Sequence, residues 1–205
     1  MAELFFRETT LECIARKVLI EYDRGYLNKN PQAVPLEKII EDVFGLRIEY
    51  VRLVESDEGE LGRMIYDDGY TTVYNPVTEE YELFRVSAGT ILIDSRLLDD
   101  PKLYGRYRYT LAHELAHWIL HKKLFYGTRL AAASYGENLS DDSTEWQANH
   151  LAKALLMPVG QVKRAFYGLQ MRSNTNESKL NKIVGIFEVS KTAMKIRLKE
   201  LGLLC

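Results

Sequence analysis

The stretch Tyr109-Thr-Leu-Ala-His113-Glu114-Leu-Ala-His117-Trp-Ile-Leu-His121 constrains this chain more than any other part of it. Within it lies the pattern His113-Glu114-x-x-His117. At about 100° per residue, positions i and i+4 share one helical face, so His113 and His117 can aim two imidazole nitrogens at one ion. Glu114 falls about 100° round from His113, beside such an ion and not on it. That is where a general base must stand to take a proton from water. With His113 at 0°, His117 lies near 40° and His121 near 80°, while Leu111, Leu115, Trp118 and Ile119 lie between about 140° and 240°. One ionisable stripe on an otherwise apolar helix is costly to bury unless its groups have partners, and a metal ion supplies one.

A helix of this kind must be covered on most sides. At 205 residues, 46% hydrophobic and 27% charged, the chain can supply the cover as one domain with at most a small appendage. A net charge of −2 argues against a general binder of nucleic acid or anionic membranes. The two cysteines, Cys13 and Cys205, form neither a disulfide framework nor a C-x-x-C pair. The N-terminal residues carry an early acid and no apolar run long enough for a signal peptide, and no stretch approaches a membrane span. The expectation is a reduced, cytoplasmic protein.

In chain order, residues 9–27 read as an amphipathic helix on Leu11, Ile14, Ala15, Val18 and Leu19, with Thr9-x-x-Glu12 as a capping box. A short helix follows from Pro35 and closes at Gly45. Leu46–Val54, Leu61–Tyr66, Thr71–Tyr74, Tyr81–Val86 and Thr90–Ile93 are strand candidates, with residues 56–60 as a loop. Thr90-Ile-Leu-Ile-Asp94 is the most apolar, so it is expected at the centre of the sheet. Asp67-Asp68-Gly69-Tyr70 carries a turn signal of hairpin type. The histidine helix spans about Leu103–Leu120. Residues 122–142 have no clear period and are long for a loop, which suits a lid, a groove wall or a surface loop. A helix from Ser143 to Met157 with Asp141 or Asp142 as its cap, another from Val159 to Tyr167, and a linker at 170–178 come next. Two short helices, Leu180–Phe187 and Thr192–Leu201, end the chain, with Ser190 as N-cap and Gly202 as stop.

Catalytic zinc usually has three protein ligands and one open position. Glu145 is the candidate for the third: it lies near the start of its own helix, which a long connection can bring alongside the histidine helix. Asn149, one turn on, is placed to support a ligand from behind. His121 is about 12 Å along the axis from His113, too far to share an ion, and is expected to make a supporting contact. His150 faces elsewhere, and Asp94 reads as a strand-end cap.

Three blocks resemble the ImmA/IrrE-like zinc metallopeptidases. They are Arg108-Tyr-Thr-Leu-Ala-His113-Glu114-Leu-Ala-His117-Trp-Ile-Leu-His121, Glu145-Trp-Gln-Ala-Asn149-His-Leu-Ala-Lys-Ala-Leu-Leu-Met157-Pro158, and Phe187-Glu-Val-Ser190 through Gly202. Weaker echoes stand at Leu61-Gly62-Arg63 and Gly89–Asp94. The family often has Gly where Ala116 stands and Glu where Gln147 stands, which leaves Glu145 as the one carboxylate of its block. The resemblance implies a gluzincin-type, zinc-dependent peptidase with His113, His117 and Glu145 on the metal and Glu114 as base. It also implies the habit of the family's best-known members, cytoplasmic regulatory proteases of bacteria and their mobile genetic elements that act on helix-turn-helix repressors.

The expected fold is α+β: a zincin-like metallopeptidase domain over residues 1–178, with a small sheet beside helices, and a helix-turn-helix-like hairpin over 179–205 packed on it. In that hairpin six basic residues stand against Glu188 and Glu200. A solvated basic face is the favoured reading, and direct DNA binding the less favoured one. A non-catalytic zinc-fold regulator and a toxin–antitoxin component, acting by protein or DNA binding, compete with the peptidase. A second oxyanion donor is open among Tyr107, Tyr109, Tyr126, Tyr135 and His150.

Overall fold

The computed structural model describes residues 6–54, 59–125, 141–170 and 176–204. Helix α1 (Glu8–Tyr22) buries Leu11, Ala15, Val18 and Leu19, the expected stripe. It stops short of residue 27. The Asp23 side chain accepts from Gly25 N at 2.8 Å and pairs with Lys29, offering the backbone a turn in place of another helical residue. The expected capping box is absent, since Arg7 is the N-cap and makes no side-chain cap bond. Glu12 is engaged elsewhere, 2.6 Å from the buried Arg197 guanidinium.

Helix α2 (Leu36–Lys38) continues as a π-turn over Ile39–Val43, and Gly45, at φ 62°, ends it in the left-handed region. Strand β5 (Thr90–Asp94) is buried at every position and sits between β1 (Arg47–Val51) and β2 (Gly62–Ile65). It pairs parallel to β1 and antiparallel to β2. A parallel neighbour needs a long crossover, and the span between β1 and β5 accommodates β2, β3 (Gly69–Asn75) and β4 (Glu80–Val86).

The turn at residues 67–70 does not close a hairpin between β2 and β3. β3 pairs with β4 in a separate two-stranded sheet, which turns at residues 76–79. Pairing is decided by partners: β2 takes the edge of the buried β5, while Asp68 accepts from Ala88 N at 2.8 Å and directs the chain into the second sheet. That sheet has its own small core of Val73 and Val86 with Val51, Leu53, Ile65 and Leu92. Residues 56–58 of the expected loop lie outside the described residues.

Helix α3 (Tyr104–Phe125) packs on α4 (Asp141–Leu156), β2 and β5. Both helices bring alanines to the shared core, Ala112 and Ala116 from one, Ala148 and Ala152 from the other. Small side chains at a helix contact shorten the interaxial distance. Contacts at Tyr109–Asn149, His113–Asn149, His113–Glu145 and His117–Glu145 run in opposite senses along the two helices, which are therefore antiparallel. Helix α5 (Val159–Gln170) follows Pro158. Then α6 (Asn176–Phe187) and α7 (Lys191–Glu200) close the chain, with Ser190 Oγ accepting from Ala193 N at 3.1 Å and Gly202 at φ 65°. Leu180, Ile183, Phe187, Met194 and Leu198 of this pair enter the main core. Residues 126–140, most of the expected lid or groove wall, and 171–175 of the expected linker lie outside the described residues.

Candidate metal centre

His113 and His117 project from one face of α3 with their Nε2 atoms 2.9 Å apart. Glu145, in the first half of α4, places Oε2 3.2 Å from His113 Nε2 and Oε1 3.1 Å from His117 Nε2. One ligand atom from each residue lies within 4.8 Å of the others. Bonds of about 2.0–2.1 Å to a tetrahedral ion put ligand atoms roughly 3.3 Å apart, close to these separations.

The donor set fits a cation on a second ground. Asn149 Oδ1 accepts from Tyr109 Oη at 2.7 Å and from His113 Nδ1 at 3.1 Å. With the proton held on Nδ1, a neutral His113 turns its Nε2 lone pair toward His117 and Glu145. Lone pairs and a carboxylate aimed at one point repel unless positive charge lies between them. His121 touches the back of the centre, Nδ1 to Nδ1 of His117 at 3.3 Å. Burial, then the neighbouring His117, push its pKa down to about 4, so it is neutral near pH 7.

The close approach of His113, and then of His117, holds the Glu145 carboxyl well below the usual carboxylate range. Burial lowers the His113 pKa, but the neighbouring Glu145 carboxylate and the Glu114 charge outweigh it and raise it overall. Glu114 lies beside this group, 8% exposed. Burial raises its pKa against the opposing pull of His113 and His117. A carboxyl held above its ordinary value is the more useful proton carrier near neutrality.

Strand β2 forms the opposite wall. A Cβ on Gly62 would come 2.6 Å from Thr110 Cγ2 and 3.0 Å from Glu114 Cγ, so the glycine lets the strand lie against Glu114. Between β2 and the two helices opens a cleft of about 740 Å³, lined by His113, Glu114, His117 and Glu145 together with Arg63, Tyr66 and Arg106. The last three were not singled out as site residues from sequence. Arg106 and Thr110 could have been, since they precede His113 by seven and three residues and so share its helical face. Arg63 and Tyr66 carry no such signal, because only strand placement brings them here. Tyr66 stacks on Trp118 at 5.9 Å.

Of the described residues considered as oxyanion donors, only Tyr109 lines the cleft. Tyr107 is buried and donates to Glu37 at 3.1 Å. His150 Nε2 faces Glu8 at 3.4 Å, away from the centre. Tyr126 and Tyr135 lie outside the described residues. Asp94 is fully buried and accepts from Leu53 N, Arg96 N and the Arg96 guanidinium, a structural cap on the strand end.

No curated protein matches the chain. Among solved structures, a Mycobacterium tuberculosis transcriptional regulator has the same fold, with TM-score 0.51 and 16% identity over 96% of this chain. The chain spans 58% of that protein's length. A family model, Peptidase_M78, described as the IrrE N-terminal-like domain, matches residues 67–199. That match takes in the histidine helix, the Glu145 helix and the closing helical pair, and by it the chain belongs to the peptidase family of the IrrE N-terminal-like domain.

Proposed function

We propose that the chain is a zinc-dependent endopeptidase that acts on a regulatory protein. The observation that carries this reading is the convergence of His113 Nε2, His117 Nε2 and the Glu145 carboxylate, with Glu114 buried beside them. His113, His117 and Glu145 would hold the ion, and Asn149 and His121 would orient the two imidazoles. Zinc bound there supplies a Lewis acid that polarises a peptide carbonyl and lowers the pKa of water toward 7. Two imidazoles and one carboxylate suit zinc better than the harder cations. Glu114 takes the proton of the attacking water on its carboxylate and passes it to the nitrogen of the departing amine. The cleft between β2 and α3 gives an extended chain room to lie.

Within the same proposal the substrate is a helix-turn-helix repressor and the setting cytoplasmic. Membership of the family supports this, as does the shared fold of a protein described as a transcriptional regulator. No helix among the described residues is long and apolar enough to cross a membrane. Residues 179–205 are taken as a hairpin packed on a peptidase body of residues 1–178, its basic residues solvated and not reading bases.

The test is metal content of the purified protein beside Glu145→Ala, with Glu114→Gln as a second variant. Expected are about one zinc per chain in the parent and in Glu114→Gln, and loss of zinc in Glu145→Ala. Cleavage of a co-expressed repressor should be seen for the parent alone. A parent that takes up no metal when zinc is supplied would overturn the peptidase reading.

A further inference from the structure

Most of the charge in the cleft is already answered. Glu145 faces His113 and His117. The Arg63 guanidinium is bonded through Nε and Nη2 to Glu60 and through Nη1 to Thr71 Oγ1 at 2.6 Å, so all three of its nitrogens are engaged. Glu114 is buried. Arg106 is different. It lines the cleft and is exposed, and among the described residues it has no hydrogen bond and no ion pair.

Its place along the helix is equally definite. Arg106 precedes His113 by seven residues, which returns to within about 20° of the same face and lies roughly 10.5 Å along the axis. An extended peptide advances about 3.3 Å per residue, so a side chain near Arg106 belongs to a residue about three positions from the bond at the metal centre. A guanidinium that lines the cleft and has no partner among the described residues will select a carboxylate, for which its fork of donors is matched in shape. Lys or Arg at that position would meet like charge.

Resting on the endopeptidase reading above, we propose that Arg106 is a specificity-determining residue that selects Asp or Glu roughly two to four residues from the scissile bond. The ligand class is therefore an extended peptide segment with an acidic side chain at that spacing.

A randomised peptide array probed with the full chain carrying Glu114→Gln tests this without requiring turnover. Retained peptides should be enriched in Asp and Glu. In Glu114→Gln combined with Arg106→Glu, acidic peptides should bind about threefold to tenfold more weakly, and the retained set should shift toward Lys and Arg. Unchanged zinc content and melting temperature would show that the second variant is folded. No acidic enrichment, enrichment that survives Arg106→Glu, or no retained peptide would each overturn the proposal. Cleavage of the same peptides by the parent is scored separately. Acidic enrichment without cleavage would sink the peptidase reading and leave the selectivity of Arg106 standing.

Discussion

Asn149 Oδ1 stands 3.1 Å from His113 Nδ1 and takes a second bond from Tyr109 Oη at 2.7 Å, so one amide oxygen sets the tautomer of a histidine on the neighbouring helix. The bond joins α3 to α4 at the point where their side chains converge on Glu145. Replacing a partner of this kind behind a metal ligand weakens metal binding by roughly 10- to 100-fold. Asn149→Ala is therefore expected to retain zinc at saturating metal but to lose it to a competing chelator at concentrations that leave the parent loaded. Equal retention in a chelator titration would show that Asn149 does not orient His113.

Gly62 lies against Glu114 from the other side. A methyl group there would meet Thr110 Cγ2 at 2.6 Å and Glu114 Oε1 at 3.1 Å, and both neighbours belong to the packed helix. Gly62→Ala should cost about 1–3 kcal/mol of stability and displace Glu114. Thr110→Ser removes the nearest contact, so the double variant should recover part of the denaturant midpoint. A double variant no more stable than Gly62→Ala would place the strain elsewhere.

Gly105 is the seat of the closing helical pair. A Cβ at this position would lie 2.7 Å from Ser190 N and 2.9 Å from Val189 C, both backbone atoms that cannot rotate away. Three residues on, the buried Arg108 donates to Val34 O at 2.7 Å and lies 3.8 Å from Glu188, holding the same corner. Gly105→Ala is expected to cost about 2 kcal/mol or more and to expose residues 176–204 to limited proteolysis before the rest of the chain unfolds. A cleavage pattern matching the parent would argue that the corner relaxes freely.

Asp94 makes an acid-sensitive contribution to stability. Burial raises its pKa, but the Arg96 bonds and charge and the Leu53 amide outweigh that and lower it below 3.8. A depressed folded-state pKa means stability that is fully present above the unfolded value and is lost as pH falls through the folded one. Asp94→Asn should destabilise by about 1–3 kcal/mol, equally from about pH 5 to 8. The gap should narrow below about pH 4, where the parent's own carboxylate becomes protonated. Denaturant melts across that range check it, and a gap that widened toward acid would reverse the assigned sign.

Much of the site could be read from local spacing. His113, Glu114 and His117 are fixed relative to one another by the helical repeat alone, and the apolar remainder of the stretch announces that the helix is buried. Asn149 follows from Glu145 by the same rule, one turn apart on α4. The central place of Thr90–Asp94 follows from a run with no polar face, since such a strand must be covered on both sides. The end of α1 was less legible, because Asp23 closes the helix with its own side chain where the apolar period would have carried it further. Glu12 looked like a cap, and Arg197, buried near the far end of the chain, claimed it.

The sequence by itself determined which side chains share a helical face, because that depends on a repeat of 3.6 residues and nothing distant. The tertiary structure alone decided what stands opposite that face. The antiparallel packing of α4 on α3 brings Glu145 to the imidazoles. The choice of β5 as partner sends β2 to the cleft and β3 to another sheet, and so places Gly62, Arg63 and Tyr66 beside Glu114. Strand pairing and helix packing are settled by the burial of surfaces far apart in the chain, and no local period encodes them.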